Sequence, residues 1–367
     1  MKKFKIGIIG CGNISGIYAK NLTQVFRQTE LAACADLFYE KAEALAKEFD
    51  IPAVLTVQEL LDTPEIDIVL NLTIPSTHAA ISMQALEAGK HVYSEKPLAT
   101  NTEDAKRLLD KAQEKGLRIG CAPDTFLGAS LQTCRKLIDD GWIGTPVGAT
   151  AFMMGVGPET WHGNPDFFYK MGGGPLFDMG PYYLNALIHL LGDIKRVSGT
   201  ANRSFPTRTI TTKHRFGEEI PCEVPTHIAS VLDFSCGAVA NMIMTFDTWG
   251  SKLPFIEIYG NEGTINIPDP NFFGGPVYYK KKGASQWSEI PLLYGFDENS
   301  RGIGIADMAY SIEHGISNRA GSEMAFHVLE VMQGIYEASQ SGTYYIPQSS
   351  CKRPEPLPMG FPEFILG

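Results

Sequence analysis

No run in these 367 residues approaches the roughly 18 consecutive apolar residues that a membrane span requires, so no membrane partner is expected. The N-terminus carries Lys2 and Lys3 but no long apolar segment ahead of the first glycines, which predicts no secretory signal. Cysteine is sparse as well. The seven at positions 11, 34, 121, 134, 222, 236 and 351 form neither a C-x-x-C pair nor an even framework. That excludes a disulfide scaffold and predicts reduced, mostly core thiols in a cytoplasmic protein. Positive charge is also short: the net charge is −10, and the only tight basic run is Lys280-Lys281-Lys282, which reads as a solvated hairpin edge. Phosphate neutralisation needs clustered cations, so a nucleic-acid partner is not expected. Nor is there an internal repeat.

What the sequence does have begins almost at its first residue. Lys5-Ile6-Gly7-Ile8-Ile9-Gly10-Cys11-Gly12-Asn13-Ile14-Ser15-Gly16 is an apolar run ending in G-x-G-x-x-S, the pattern of a buried strand turning into a helix. Gly10 allows the tight turn, Gly12 lets backbone approach a phosphate, and Ser15 is small enough for close helix–strand packing. The free N–H groups of the helix start supply positive potential. A second apolar strand ends in Asp36, where a carboxylate hydrogen-bonds the ribose hydroxyls of NAD and repels the 2′-phosphate of NADP. No arginine follows: Leu37 and Phe38 do. The expected cofactor is NAD, with Asn13, Ile14 and Leu37 beside these groups.

A length of 367 residues with 44% hydrophobic content favours two domains. Strand patterns at 5–10, 30–36, 66–72, 91–95 and 118–121 alternate with helical patterns at 16–28, 39–49, 76–88 and 102–115. They predict a doubly wound parallel sheet, an α/β Rossmann domain over residues 1–123. The texture then changes to a helix at 128–140, a strand at 147–154, a Gly/Pro/aromatic loop and a helical stretch ending near Gly192. Strand-like segments follow at 195–204, 226–234, 238–246, 255–259, 264–267 and 277–281, several joined by short turns. They predict an antiparallel sheet in an α+β domain over 124–348, closed by helices at 303–317 and 323–339. Residues 349–367 read as an extended Pro-rich tail.

The chemistry concentrates in two segments. In Gly89-Lys90-His91-Val92-Tyr93-Ser94-Glu95-Lys96-Pro97 a parallel strand ends in Glu-Lys-Pro. Ligands bind outside the carboxyl ends of such strands, which places Lys96 at the cofactor crevice; the alternative is a surface lysine starting a loop. In Gly172-Gly173-Gly174-Pro175-Leu176-Phe177-Asp178-Met179-Gly180-Pro181-Tyr182 a glycine run that lets backbone approach a ligand feeds a helix. Asp178 and Tyr182, at i and i+4, share one face. Pro181 predicts a kink or a fresh helix start there, and Asp178 has an alternative role as an N-cap.

Together the G-C-G-N-I-S turn, Thr73-Ile74-Pro75 with His78, the A-G-K-H-V-x-x-E-K-P string and the G-G-G-x-L-x-D-x-G block resemble the Gfo/Idh/MocA oxidoreductases. The resemblance covers most of the chain, in the family's order. It implies a Rossmann domain followed by an α+β domain with an open, largely antiparallel sheet, often used for oligomer contacts, hence a homo-oligomer, dimer or tetramer. It also implies NAD(P) chemistry on sugars, polyols and related carbohydrates, with no metal. Lys96 then stands as the catalytic lysine and Asp178 as the acid. Thr73, Ile74, Pro75, His78 and Glu95 join the expected cofactor contacts. Two departures matter. Tyr182 stands where many members carry His, as in a Tyr-containing branch, and Ala122-Pro123-Asp124-Thr125-Phe126 replaces an Arg-containing segment, putting Asp124 among the expected substrate contacts. Trp161 and His162 fall about where relatives show Trp-Arg and are expected to wall the substrate site; for His162 a solvated loop histidine is the alternative.

Removing a hydroxyl proton while hydride leaves a secondary alcohol requires a base within hydrogen-bond reach. Tyrosine is a poor base alone, but a neighbouring ammonium favours its phenolate. The expected roles are Tyr182 as base in oxidation and acid in reduction, Lys96 as polariser and relay, and Asp178 as the carboxylate that fixes both; Lys96 as the direct base is the alternative. A redox-neutral glycosidase and a non-catalytic sugar sensor remain alternatives to a sugar or polyol dehydrogenase.

Overall fold

The apolar strand at the N-terminus, β1 (Phe4–Ile9), is buried on both faces, as a central parallel strand must be. The computed structural model describes residues 2–359. Around β1 the chain winds α1 (Ser15–Gln24), β2 (Thr29–Ala35), α2 (Tyr39–Phe49), β3 (Ala53–Val54), α3 (Val57–Asp62), β4 (Ile68–Asn71), α4 (His78–Glu87), β5 (His91–Ser94), α5 (Thr102–Lys115) and β6 (Ile119–Cys121). All pairings are parallel and the strand order is β3-β2-β1-β4-β5-β6, so the switch point lies between β1 and β4. Ligands bind at the carboxyl ends flanking such a point.

Helix ends follow local chemistry. α5 starts at Asn101, whose side chain accepts from Asp104 N, carries Glu103 and Asp104 in its first turn, and stops at Gly116 in the left-handed region. α1 ends at Gln24, four residues before the sequence pattern suggests. The Thr29 hydroxyl donates to the carbonyls of Leu22 and Phe26, and this fold-back turns the chain into β2. β3 and α3 carry too few residues to show a period, although α3 opens with a capping box, Thr56 and Glu59.

The second part of the chain contains α6 (Ala129–Asp139), β7 (Pro146–Met154), α7 (Gly174–Leu191), β8 (Ile194–Asn202), β9 (Thr207–Thr209), β10 (Glu219–Pro221), β11 (His227–Phe234), β12 (Val239–Thr245), β13 (Ile256–Gly260), β14 (Gly263–Ile267), β15 (Val277–Lys281), β16 (Ser288–Ile290), α8 (Ile303–His314) and α9 (Ser322–Ser341). Eight strands form one sheet in the order β16-β15-β14-β13-β7-β12-β11-β8. It is antiparallel except at its centre, where β7 and β12 run parallel. Alternation in β11 and β12 buries Ile228, Leu232, Ala240, Met242 and Met244 on the helix-covered face. β9 and β10 pair separately.

Two expectations are corrected. The last two helices do not close the second domain alone. Gly120 and Gly321 form an antiparallel bridge, and a Cβ on Gly304 would strike the Tyr93 hydroxyl, so 303–321 packs directly on the edge of the Rossmann sheet. Nor does Pro181 start a new helix. α7 is one helix from Gly174 to Leu191, with Pro175 in its first turn, and its near-complete burial offsets the missing Pro181 donor. Asp178 therefore lies inside the helix, and Gly173 holds the N-cap. The described part of the tail is irregular and tied down: Arg135 donates to Pro354 O, and Leu357 N donates to Gln132 Oε1. Its last residues, 360–367, lie outside the described residues.

Candidate active site

The turn after β1 is built for a close approach. Gly10 has φ 102°, and a Cβ there would meet Leu72 and Thr73 backbone at 2.7–2.8 Å, so no other residue fits. Gly12 has nothing within 4 Å of where its Cβ would stand. That open space lies at the start of α1, whose N-cap, Ile14, offers no side-chain hydrogen bond and whose first turn has no acidic residue. Uncapped N–H groups beside a side-chain-free glycine are the donor set a pyrophosphate needs. Asn13 and Ile14 flank it, Asn13 exposed and Ile14 half-buried.

Asp36 does more than the pattern suggests. Its Oδ2 accepts from Cys11 N at 2.7 Å and its Oδ1 from Phe38 N at 2.8 Å, so one carboxylate ties the end of β2 to the glycine turn. It stays half-buried, and Leu37 beside it is exposed. Ile74, at the carboxyl end of β4, is exposed beside half-buried Thr73 and Pro75.

Lys96, just past the end of β5, spans to α7. Its Nζ donates to the Asp178 carbonyl at 2.6 Å and to Asp178 Oδ1 at 2.7 Å, and lies 5.2 Å from the centre of the Tyr182 ring. Three residues from two folding units are thus brought together. Burial opposes the Lys96 charge, but Asp178, then Tyr182 and Glu95, outweigh it and hold the ammonium above the usual lysine range. Burial likewise pushes the Tyr182 phenol up, while Lys96 and Arg301 pull it back.

Several of the expected contacts are also engaged by the protein itself. His78 is buried, with Nδ1 2.7 Å from Pro97 O and Nε2 2.9 Å from Thr73 O. Its ring joins the loop after β4 to the loop after β5, with both ring nitrogens held by backbone carbonyls. Glu95 is engaged by the Tyr18 hydroxyl at 2.7 Å and by Lys96 N at 3.0 Å, so it shapes the lysine's loop. The glycines before α7 serve close packing against the protein itself: a Cβ on Gly172 would meet Thr100 at 2.8 Å, and one on Gly174 would meet Pro225 O at 2.9 Å. Trp161 is exposed and His162 half-buried, in edge-on ring contact with one another and with Phe168.

Asp124 is the clearest correction. It is 1% exposed, and its Oδ2 accepts from Gly302 N at 2.9 Å and Gly304 N at 3.0 Å, which makes it an anchor for the start of α8 and not a substrate contact. Burial raises its pKa to about 6. Because the folded value lies above the ordinary aspartate value of 3.8, this group's contribution to stability is full below about pH 4 and is lost as pH rises through 6. Asp124→Ala, which strands two buried donors, is expected to lose about 2–4 kcal/mol. Asp124→Asn keeps an acceptor with no charge to bury and is expected to match or exceed the wild type at pH 7. Denaturant midpoints of both variants, at pH 5 and pH 7, check this.

Sequence reasoning missed Arg301 and Tyr18. Arg301 lies in the short segment between β16 and α8, where the only signal was Asn299 and Gly302 bracketing it. Tyr18 is hidden in an ordinary helical pattern.

Two family models match the chain: an oxidoreductase family with an NAD-binding Rossmann fold over residues 4–122, and the GFO/IDH/MocA C-terminal domain over residues 131–266. The first region is thereby an NAD-binding domain. Among curated proteins, the chain is similar to a dTDP-3,4-didehydro-2,6-dideoxy-alpha-D-glucose 3-reductase of Saccharopolyspora spinosa, 34% identical over 52% of this chain and 57% of the relative. It is also similar to inositol 2-dehydrogenase 3 of Saccharopolyspora erythraea, 25% identical over 74% and 75%. The match to the first thus spans less than two thirds of its length. Among solved structures, levoglucosan dehydrogenase in complex with NADH and L-sorbose superposes with a TM-score of 0.80 at 21% identity, covering 94% of this chain and 99% of that one, which shows a shared fold.

Proposed function

The chain belongs to the Gfo/Idh/MocA family of NAD-binding oxidoreductases, and on that premise we propose that it transfers a hydride between a hydroxyl-bearing carbon of a sugar or polyol and NAD. The observation that carries this reading is Lys96 reaching from the Rossmann sheet to the carbonyl and carboxylate of Asp178, with the Tyr182 ring alongside. Proton-transfer groups meet there at the crevice where a dinucleotide's reactive end belongs.

Gly10, Gly12, Asn13, Ile14 and the start of α1 would hold the pyrophosphate, Asp36 and Leu37 the adenosine ribose, and Thr73, Ile74, Pro75, Glu95 and Lys96 the nicotinamide half. When bound, NAD supplies the hydride acceptor. The chain's own residues handle the proton. In oxidation Tyr182 Oη takes it from the substrate hydroxyl, and in reduction Tyr182 returns it. Lys96, held charged by Asp178, stabilises the phenolate through space and is disfavoured as the direct base, because a base must first be free of its proton. Asp178 fixes the lysine and faces the substrate hydroxyl. Trp161 and His162 are assigned to the substrate wall, since an exposed indole suits the apolar face of a sugar ring.

The test is turnover with NAD across free sugars, inositols and aryl glycosides, read as NADH formation beside a product assay. NADH matching oxidised product supports the proposal. Glycoside cleavage without net NADH would instead indicate redox-neutral chemistry, and tight NAD binding with no turnover would indicate a sensor.

NAD is expected to bind more tightly than NADP, because the Asp36 carboxylate, fixed by two backbone donors, would repel a 2′-phosphate, and exposed Leu37 offers no cation to pair with it. Titration calorimetry with both cofactors checks this; equal or tighter NADP binding would contradict it.

The outer face of the eight-stranded sheet exposes Val231 and Val239. A sheet covered by helices on one side only is expected to bury its other side against a second copy. Light scattering is expected to return a multiple of the 40.2 kDa chain mass; the monomer mass at micromolar concentration would contradict that.

A further inference from the structure

The loop between β7 and α7, residues 155–173, carries Trp161 and His162 and leads into the helix of Asp178 and Tyr182. Its end is seated close to the catalytic groups. A Cβ on Gly172 would meet the Thr100 side chain, four residues beyond Lys96, at 2.8 Å, and one on Gly173, the N-cap of α7, would meet the carbonyls of Phe168 and Phe167 at 2.5 and 2.7 Å.

The rest of the loop leans on the β9–β10 hairpin. Phe168 and Tyr169 form a small apolar cluster with Ile210, Ile220, Cys222 and Phe246, apart from the main core. Beside this cluster lies a buried ionic group. Arg208 of β9 faces Glu159 of the loop, Nη1 to Oε1 at 3.6 Å, and pairs through Nη2 with Asp247, just past β12. The side chains of Arg208, Glu159 and Asp247 are only 8%, 10% and 8% exposed. Glu159 also accepts from the Tyr169 hydroxyl, Asp247 accepts from Thr226 Oγ1 at 2.7 Å, and the guanidinium lies 5.4 Å from the centre of the Tyr169 ring. One arginine thus joins three segments that are distant in the sequence.

Such a group is weak evidence for stability, because desolvation offsets the attraction and apolar side chains of the same volume often serve a core as well. What a forked, always-charged guanidinium adds is one fixed geometry for the carboxylates it spans. That geometry passes to the two wall residues by short steps. Glu159 is two residues before Trp161, and the Pro158 carbonyl accepts from His162 N at 2.8 Å. The Trp161 and His162 rings stand edge-on to Phe168, with centres 6.1 and 5.2 Å away. The hairpin adds an outer grip, in which Arg215 donates to Asn164 Oδ1 at 3.0 Å and Asn164 N donates to His162 Nδ1 at 3.1 Å.

We propose that Arg208 is a positioning residue that fixes the Trp161–His162 wall and thereby sets affinity for the carbohydrate, without entering the chemistry. This deepens, and rests on, the assignment of those two residues to the substrate wall. A wall that holds the sugar ring away from the reacting carbon contributes equally before and in the transition state, so its loss appears in KM and not in kcat.

The test compares the full chain with Arg208→Met, Arg208→Lys and Trp161→Ala on a carbohydrate that supports turnover. Arg208→Met is expected to raise KM for that carbohydrate roughly tenfold, with kcat and the NAD dissociation constant close to wild type, and to speed hydrogen exchange over residues 155–168. Arg208→Lys, which keeps the charge but not the fork, is expected to recover part of the KM. A role in folding alone would not split KM from kcat in this way. An unchanged KM in folded Arg208→Met, beside a raised KM in Trp161→Ala, would overturn the proposal and leave the wall assignment standing. An unchanged KM in Trp161→Ala would sink the wall assignment itself, and the proposal with it. Should Arg208→Met not fold, Glu159→Gln decides, since it removes the charge by which Arg208 holds the loop and keeps an acceptor for Tyr169. A raised KM at unchanged kcat then supports the proposal, and an unchanged KM overturns it.

Discussion

Lys96→Ala is expected to lower kcat by roughly 10²-fold or more, in either direction of the reaction, while changing the NAD dissociation constant far less. The lysine touches both the carbonyl and the carboxylate of one residue across the interdomain crevice. Alanine therefore removes the charge that favours the phenolate and leaves the Asp178 carboxylate unpaired beside it, in a pocket where Lys96 and Asp178 side chains are only 15% and 20% exposed. A modest loss of NAD affinity fits as well, because Lys96 is also assigned to the nicotinamide half. Turnover and cofactor affinity measured on the same folded sample separate the two effects. Near-normal kcat in folded Lys96→Ala would refute the role of Lys96 in proton transfer.

Tyr182→Phe is expected to cost a similar factor, roughly 10²-fold or more, because it deletes the oxygen that takes the proton and little else. Its ring is buried, so phenylalanine keeps the packing. The pH dependence carries a sign. The folded phenol titrates above the ordinary tyrosine range, with burial as the main cause. Oxidation needs the phenolate and so should rise with pH through the alkaline range, whereas reduction needs the phenol and should hold level through neutral pH and fall only where oxidation rises. In Tyr182→Phe that alkaline limb is expected to vanish from kcat in both directions. Its persistence would assign the proton to another group, with Lys96 the first alternative.

The Rossmann half was legible because its signals are local. β1 is a continuous apolar run, the glycine spacing is a backbone requirement visible at Gly10, and Asp36 ends the next strand. Lys96, Asp178 and Tyr182 could be singled out because a strand's carboxyl end and an i, i+4 helix face are both one-dimensional features. Asp124 was misread for the opposite reason. Its partners, Gly302 and Gly304, are nearly two hundred residues away, and nothing local distinguishes a buried anchor from a substrate contact. Arg301 was invisible on the same ground: only the fold brings its charge to bear on the Tyr182 phenol. The parallel pair at the centre of the second sheet was likewise hidden, since β7 meets β12 only after α7 and four intervening β segments. Pro181 shows local propensity losing to tertiary burial, because a helix packed on nearly every side tolerates one missing donor.

The central claim, that this chain moves hydride between a carbohydrate carbon and NAD under the control of Lys96 and Tyr182, is tested most directly by isotope transfer. A carbohydrate found to support turnover, deuterated at its reacting carbon, is incubated with NAD, and the reduced cofactor is analysed by mass spectrometry. The account predicts one deuterium in each NADH formed, with the rate of transfer falling roughly 10²-fold in both Lys96→Ala and Tyr182→Phe. NADH without the label, or labelled NADH formed at the wild-type rate by both variants, would contradict it.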